Sequence, residues 1–294
     1  MQKIAPFLWF DHQAEEAAKL YTSLFDRSRI DGTTRYGEAG PGPRGTVMTA
    51  SFELEGLPFT ALNGGPVFTF TPAVSFFVTC GTESEIDALW RELSKGGKVM
   101  MELAKYPLSE KFGWLSDRYG LSWQLNLAPS QPKKISPFFL FVGRQHGRAE
   151  EAMRSWVSKF ENSAIAQVER YPGGMPEPEG TVMHGRFSLA GQEFMAMDSA
   201  REHAFTFTPA VSFYVSCETQ EEVDRYWNAL TAGGGKPGQC GWLEDAYGVS
   251  WQVVPRILHK LIGDKDPVKA KRATEAMLKM TKLDIARLQE AHGR

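Results

Sequence analysis

The polar residues best placed to recognise a small molecule occur in matched pairs. Gln124 and Gln252 occupy corresponding positions in the segments SWQL and SWQV, and Ser75 corresponds to Ser212 in AVSFF and AVSFY. All four stand in apolar, strand-like sequence, where an amide or a hydroxyl either satisfies another buried polar group or contacts a ligand. The sequence leaves both roles open for the two glutamines.

Histidines, the commonest metal ligands and acid–base catalysts, show no such pairing. No two of them occupy equivalent positions in the two halves of the chain, so surface or loop placement is expected for each. The six histidines are His12, His146, His184, His203, His259 and His292.

The three cysteines point to packing more than to catalysis. Cys80 and Cys217 each end a β-rich run at matching positions and are expected to be small core residues. Cys240 is unmatched; a reactive thiol there is the alternative, although no base lies beside it in sequence. An odd number of cysteines without metal-type spacing favours a reducing compartment, and we expect a cytoplasmic protein.

The pairs belong to a long internal repeat. FTFTPAVSFFV at 68–78 returns as FTFTPAVSFYV at 205–215, and GWLSDRYGLSWQL at 113–125 returns as GWLEDAYGVSWQV at 241–253. A period of about 130 residues is one domain long, whereas solenoid units run to roughly 20–50 residues. The chain is therefore predicted to contain domains at 1–130 and 131–256, followed by a helical extension at 257–294.

Each copy has the pattern of an α+β domain. Hydrophobic periodicity predicts strand–helix–three strands and then strand–helix–two or three strands, whereas a Rossmann-type enzyme would alternate single strands and helices. The second copy lacks the equivalent of nine residues within 98–112, so its sixth strand is expected to be a loop at 233–238. Asp266 and Pro267 supply an N-cap and a first-turn proline for one helix reaching about Ala291.

Overall charge and hydropathy exclude several classes of protein. The net charge of −2 and the lack of a basic stripe argue against nucleic-acid binding. No apolar run approaches the roughly 20 residues that span a bilayer, and the N-terminal segment lacks the long apolar stretch of a signal peptide.

Taken together, the repeated motifs resemble a known family. PFLWF, GTVM, F-T-F-T-x-A-x-S-F and G-W-L-x-D-x-Y-G-x-S-W-Q are similar to the PhnB-like branch of the vicinal oxygen chelate (VOC; glyoxalase, bleomycin-resistance and dioxygenase) superfamily, often labelled 3-demethylubiquinone-9 3-methyltransferase. The resemblance covers about residues 3–127 and 135–255. It implies two βαβββ modules per domain, curved sheets around a pocket, and a fused pair in place of a dimer. Homodimerisation of the whole chain is left open.

The resemblance also indicates which positions would hold the ligands of a metal ion. Metal-dependent members carry His, Glu or Gln on the first, middle and last strands, and the matching positions here hold Ser75 and Gln124, or Ser212 and Gln252. A neutral amide and a hydroxyl do not replace a carboxylate and an imidazole, so we predict metal-free sites.

A cofactor site for methyl transfer is also not expected. The glycine-rich string at 38–45 precedes a strand rather than a helix, and its two prolines remove backbone donors. It is interpreted as a turn between strands, and no cofactor is predicted.

The candidate ligand-binding residues are matched polar or aromatic positions on pocket-facing strands, and no catalytic residue is assigned. For the tryptophans, core packing is the alternative to a ligand wall. Asp117 and Asp245 are expected to form turns. The candidates are Asn63, Phe70, Ser75, Trp114, Trp123, Gln124, Asp198, Phe207, Ser212, Trp242, Trp251 and Gln252.

Three functions remain open at this point. The first is a binding protein that holds an apolar or aromatic small molecule in sheet-enclosed pockets. The second is a metal-dependent VOC lyase, isomerase or dioxygenase. The third is a structural or regulatory duplicate that acts through partners, which the C-terminal extension motivates.

Overall fold

The computed structural model describes residues 2–107, 109–129, 131 and 133–294. The predicted domain boundary at 130 lies outside the described residues. The strands are β1 (Ile4–Phe10), β2 (Ser28–Arg35), β3 (Val47–Leu54), β4 (Leu57–Asn63), β5 (Val74–Cys80), β6 (Lys98–Tyr106), β7 (Ser109–Ser116), β8 (Ser122–Leu127), β9 (Lys134–Phe141), β10 (Ala164–Arg170), β11 (Val182–Leu189), β12 (Gln192–Asp198), β13 (Val211–Cys217), β14 (Lys236–Pro237), β15 (Trp242–Glu244) and β16 (Ser250–Pro255). The helices are α1 (Ala14–Leu24), α2 (Glu83–Leu93), α3 (Ala149–Val157), α4 (Gln220–Thr231), α5 (Ile257–Ile262), α6 (Pro267–Leu278) and α7 (Ile285–Gly293).

The strands form two eight-stranded sheets, and each sheet takes one module from each copy. Sheet 1 has the order β14-β15-β16-β13-β1-β4-β3-β2, and sheet 2 has the order β10-β11-β12-β9-β5-β8-β7-β6. The predicted α+β fold with two βαβββ modules per copy is confirmed. The sequence did not reveal that the modules join edge to edge across the copies.

The most strongly repeated motif lies where the chain of each copy passes from one sheet to the other. The segments 68–73 and 205–210 carry the chain between the sheets, and the hydroxyls of Thr71 and Thr208 donate to the carbonyls of Thr206 and Thr69 at 2.7 and 2.8 Å. In each copy, a threonine of the TFTP sequence therefore donates a side-chain hydrogen bond to the backbone of the other copy. Its near identity in the two copies follows from the approximate two-fold symmetry of this crossing.

Helices α1–α4 pack on one face of each sheet, here called its outer face, and the face without these helices is called its inner face. The core on the outer faces is built within each copy. In the first copy Phe59 of sheet 1 meets Phe76 of sheet 2 at 5.1 Å between ring centroids. In the second copy Phe139 of sheet 2 meets Phe213 of sheet 1 at 5.2 Å. Each copy thus buries its own aromatic core, whereas the opposite, inner faces of the sheets are shared between copies.

The C-terminal extension contains three helices where one was predicted. Asp266 caps α6 as expected, but α6 ends at Leu278, and Asp284 caps a separate helix, α7, by accepting from the amide of Arg287 at 2.9 Å. No helix of the described residues is long and apolar enough to cross a membrane.

The extension fills the place of the reduced strand in the second copy. β14 keeps only two residues where a loop was expected, and the amides of Cys240 and Gly241 donate to the carbonyls of Met280 and Thr281, both at 2.8 Å. In the first copy the same edge pairs with β6, since Phe112 pairs with Ala104. Backbone groups that the missing strand would leave unpaired are therefore satisfied by the extension.

Candidate functional site

Both inner faces carry the same polar pair at their centre. The amide nitrogen of Gln124 donates to the hydroxyl of Ser75 at 2.7 Å, and that of Gln252 donates to Ser212 at 2.9 Å. All four residues are buried. Each pair joins neighbouring strands within one module, so the predicted partners do come together. Each glutamine therefore makes at least a structural hydrogen bond within its sheet.

Sheet 2 surrounds its pair with a composite apolar cluster on its inner face, here called site 2. The first copy supplies Phe77 and Trp114, and the second supplies Phe138, Leu140 and Met195. Phe77 and Phe138 lie nearly parallel across the junction of the copies, with centroids 6.3 Å apart. Site 2 is therefore rich in aromatic side chains and contains residues from both copies.

Site 1, the inner face of sheet 1, is filled by tryptophan. The Trp9 ring contacts Phe68 and Trp242 edge-on at 5.0 and 5.9 Å, and its indole donates to the carbonyl of Gly65 at 2.8 Å. A β-carbon placed on Gly64 would lie 2.2 Å from that ring. Only glycine fits beside this tryptophan.

The matching corner of site 2 has smaller side chains. Leu140 stands at the position of Trp9 and Ser199 at that of Gly64, as the equivalent backbone bonds from Gly64 to Phe10 and from Ser199 to Phe141 show. Phe205, the counterpart of Phe68, is partly buried against the site 2 cluster. The second copy therefore lacks the indole that fills site 1.

Site 1 is also roofed by the C-terminal extension. Val254 and Tyr214 on its inner face pack into a separate cluster with Leu258 of α5, with Leu283 between α6 and α7, and with other residues of the extension. At the opposite rim Lys271 of α6 lies 3.6 Å from Glu38, in the loop between β2 and β3. The roof thus reaches from β16 to the far edge of the same groove.

Charged side chains distinguish one end of site 2. Glu193 accepts from Ser136 at 2.9 Å and pairs with Lys134 and Arg186 at 2.9 and 3.0 Å. Burial alone would raise the pKa of Glu193, but these partners hold it below its ordinary value. The corresponding positions of site 1 hold Ala5, Pro58 and Ser51, so this network belongs to site 2 only.

Trp123 and Trp251 lie on the outer faces, away from both grooves. Both are fully buried in the core, where their indoles donate to Asp117 and Asp245 at 2.9 and 2.8 Å. The alternative of core packing describes these two tryptophans, whereas Trp114 and Trp242 face the grooves.

Asn63 and Asp198 fasten helices at the ends of their strands. Asn63 accepts from the amide of Ala14 at 2.8 Å, and Asp198 accepts from Ala149 at 3.2 Å and from Val182 at 2.9 Å. Phe70 and Phe207 pack with the outer-face core. These four candidates support the sheets rather than line either groove.

The equivalent turn aspartates of the two copies do more than form turns. Asp117 accepts from the amides of Tyr119 and Leu121, as expected, and also from the hydroxyl of Tyr21 at 2.7 Å. Asp245 makes the equivalent bond to the indole of Trp156 at 2.8 Å. Burial raises the pKa of both carboxyls. Sequence spacing could not reveal this link, because the helix donors lie about 90 residues away.

The cysteines lack the features of activated nucleophiles. Cys80 and Cys217 are buried core residues as predicted, and burial raises the pKa of each thiol to about 12. Burial also raises the pKa of Cys240. A reactive thiolate needs the opposite shift.

The donors on the inner faces do not fit a divalent metal. Each groove centres on an amide bonded to a hydroxyl and surrounded by rings, and neither group supplies an anionic or imidazole donor. Among the described residues, no three His, Cys, Asp or Glu side chains cluster so as to hold an ion.

The glycine-rich string also has a structural explanation. It forms the turn between β2 and β3 that was predicted, and β-carbons on Gly40 and Gly42 would lie 2.7 and 2.3 Å from the ring of Tyr36. These glycines make room for the ring of Tyr36.

A cavity of about 280 Å³ lies between α6 and α7, lined by charged residues that include Arg272, Arg287 and Glu290. None of its lining residues is a predicted site residue.

Comparison with solved structures shows what the fold resembles. Glyoxalase I of Zea mays, 11% identical, matches with a TM-score of 0.55 over 84% of this chain and 92% of its own. This likeness shows that the two proteins share a fold. The chain belongs to the 3-demethylubiquinone-9 3-methyltransferase family, whose profile matches residues 2–126 and 133–254.

One relative matches a single copy. A Bacillus cereus protein, described as a PhnB protein and 3-demethylubiquinone-9 3-methyltransferase, is 53% identical over 43% of this chain and 100% of its own, with a TM-score of 0.41. The comparison with curated proteins found no match.

Proposed function

We propose that the protein binds a small apolar or aromatic molecule in site 2, without a metal ion, and that it does so in the cytoplasm. The apolar cluster around Phe77 and Phe138 carries the proposal, because apolar and aromatic linings with few polar groups are typical of small-molecule sites. Met195 and Met197 add flexible walls that adapt to the shape of a ligand. No nucleic acid or membrane enters this proposal, and homodimerisation stays open.

Site 1 is the internal reference for this proposal. Its centre is the same Gln–Ser pair, but Trp9 and the α5–α7 roof occupy the space above it. We therefore infer one ligand for each chain, bound between the two copies on sheet 2.

The test transplants the filling of site 1 into site 2. The double variant Leu140→Trp/Ser199→Gly should place an indole against Phe205, as Trp9 lies against Phe68. The neutral probe N-phenyl-1-naphthylamine, titrated by fluorescence, should bind wild type at one molecule per chain and bind this variant at least about tenfold more weakly. Unchanged binding would exclude site 2.

The matched control is Trp9→Leu in site 1. It removes a similar aromatic volume from site 1, which stays covered by the α5–α7 roof, and should leave the probe affinity of site 2 unchanged. Thermal unfolding of both variants checks that lost binding reflects a filled groove rather than an unfolded chain.

Metal analysis separates this proposal from the enzyme alternative. Purified protein should contain well below one equivalent of transition metal, and probe affinity should not change with EDTA or with added Zn²⁺ or Mn²⁺. A stoichiometric metal lost together with probe binding would favour a metal-dependent VOC enzyme.

A further inference from the structure

The apolar cluster of site 2 indicates a ligand with an apolar body. The charged end of the same site indicates which polar group that ligand carries. Along one row of the inner face, strand pairing places Ser136 beside Phe77, and Ser136 bonds to Glu193. Arg186 stands on the next strand, paired with Met195. The ion network is therefore continuous with the aromatic floor.

The unused hydrogen-bonding capacity of this network consists mainly of donors. Glu193 already interacts with Ser136, Lys134 and Arg186. Arg186 uses one terminal nitrogen in its bond to Glu193, although a guanidinium carries five N–H donors, and an ammonium such as that of Lys134 carries three. A ligand group approaching here meets available N–H groups and a carboxylate whose own partners are in place.

Exposure lets these donors reach a ligand. The side chains of Arg186 and Lys134 are 44% and 48% exposed, against 23% for Glu193. His184 and Glu169 lie one position further along the same rim. The pKa of His184 is lowered mainly by burial, so this imidazole is neutral at pH 7 and leaves the two cations as the charged donors.

We propose that site 2 takes an amphipathic ligand, an aromatic or alkyl body with an anionic group that Arg186 and Lys134 recognise. This inference rests on the proposed function, and it adds the class of the polar group. Arg186 has no counterpart in site 1, where Ser51 holds its position. The contact is charge-assisted and partly exposed, so it contributes modestly and weakens with salt.

Two probes with one skeleton test the inference. N-phenyl-1-naphthylamine is neutral, and 1-anilinonaphthalene-8-sulfonate is the same molecule with a sulfonate. At low ionic strength the sulfonated probe should bind wild type about five- to tenfold more tightly than the neutral one, and 0.5 M NaCl should reduce that ratio. In Arg186→Ser the ratio should fall to about one, while Arg186→Lys should keep most of it.

The outcomes distinguish a wrong ligand class from a wrong proposed function. A ratio at or below one in wild type, or an undiminished ratio in Arg186→Ser, would overturn the anionic class while the neutral probe still binds. If neither probe binds the wild-type protein, the proposed function itself fails. Measuring both probes on each variant keeps a folding defect apart from lost recognition, because a defect weakens both.

Discussion

The two inner faces began as the same structure and now differ in what lies above their shared Gln–Ser pair. In site 1 the space holds Trp9, and the three C-terminal helices lie over Tyr214 and Val254. In site 2 the corresponding corner holds Leu140 and Ser199, and a charged network borders the groove. The scaffold is the same in both places, while the substituted side chains give site 1 an indole and site 2 a charged border.

The comparison also shows why both copies are required. Each copy buries its own outer core, but neither inner face is complete without a module from the other copy. A single copy would expose the edges of β1 and β5 at the middle of each sheet, and such edges pair readily with another chain. The fusion supplies that second chain covalently.

The largest expected effect concerns the roof of site 1. Leu283 is fully buried among α5–α7 and against Gly241. Leu283→Ala should reduce the free energy of roof docking by about 3 kcal/mol, because it removes buried methyl groups and leaves a cavity. Hydrogen exchange in α6 and α7 should accelerate strongly, with probe binding in site 2 unchanged. Unaltered exchange would show that the roof is not held by this cluster.

A smaller effect is expected where the two grooves are filled differently. Gly64→Ser should lower the free energy of unfolding by about 2 kcal/mol, because its β-carbon would overlap the Trp9 ring. Ser199→Gly, the reverse change in site 2, meets no such ring and should cost well under half as much. Urea unfolding measures both, and equal losses would contradict the assigned difference.

The shared pair should respond alike in both grooves. Gln124→Leu and Gln252→Leu each leave a buried serine hydroxyl without its donor, so each should lower the free energy of unfolding by about 1.5 kcal/mol. Urea unfolding is again the measurement. A cost at one site alone would mean that the pairs are not equivalent.

The smallest effect is expected at the rim of the roof. Lys271 and Glu38 are each about half exposed, and exposed ion pairs contribute less than about 1 kcal/mol. Lys271→Glu should therefore raise hydrogen exchange in α6 only about twofold. A change comparable with that in Leu283→Ala would make this ion pair, rather than the apolar cluster, the main fastening.

The sequence predicts the architecture better than the site. Period and turn residues locate the modules and the capped start of α6, because both are local properties. They do not reveal the crossing of the copies, which depends on contacts such as Thr71 to Thr206, 135 positions apart. The face of a sheet on which a strand residue lies depends on the register of that strand. Trp114 and Trp123 are both tryptophans in strand-like sequence, yet Trp114 lies on the inner face and Trp123 lies in the core. Asp284 was the available signal for a separate α7.

A crystal structure of the protein with N-phenyl-1-naphthylamine would show which sheet binds the probe. We expect one probe molecule on sheet 2, in contact with Phe77 of the first copy and Phe138 of the second, near Gln124. A probe bound against Trp9 and Trp242 on sheet 1, or in the cavity between α6 and α7, would contradict this expectation.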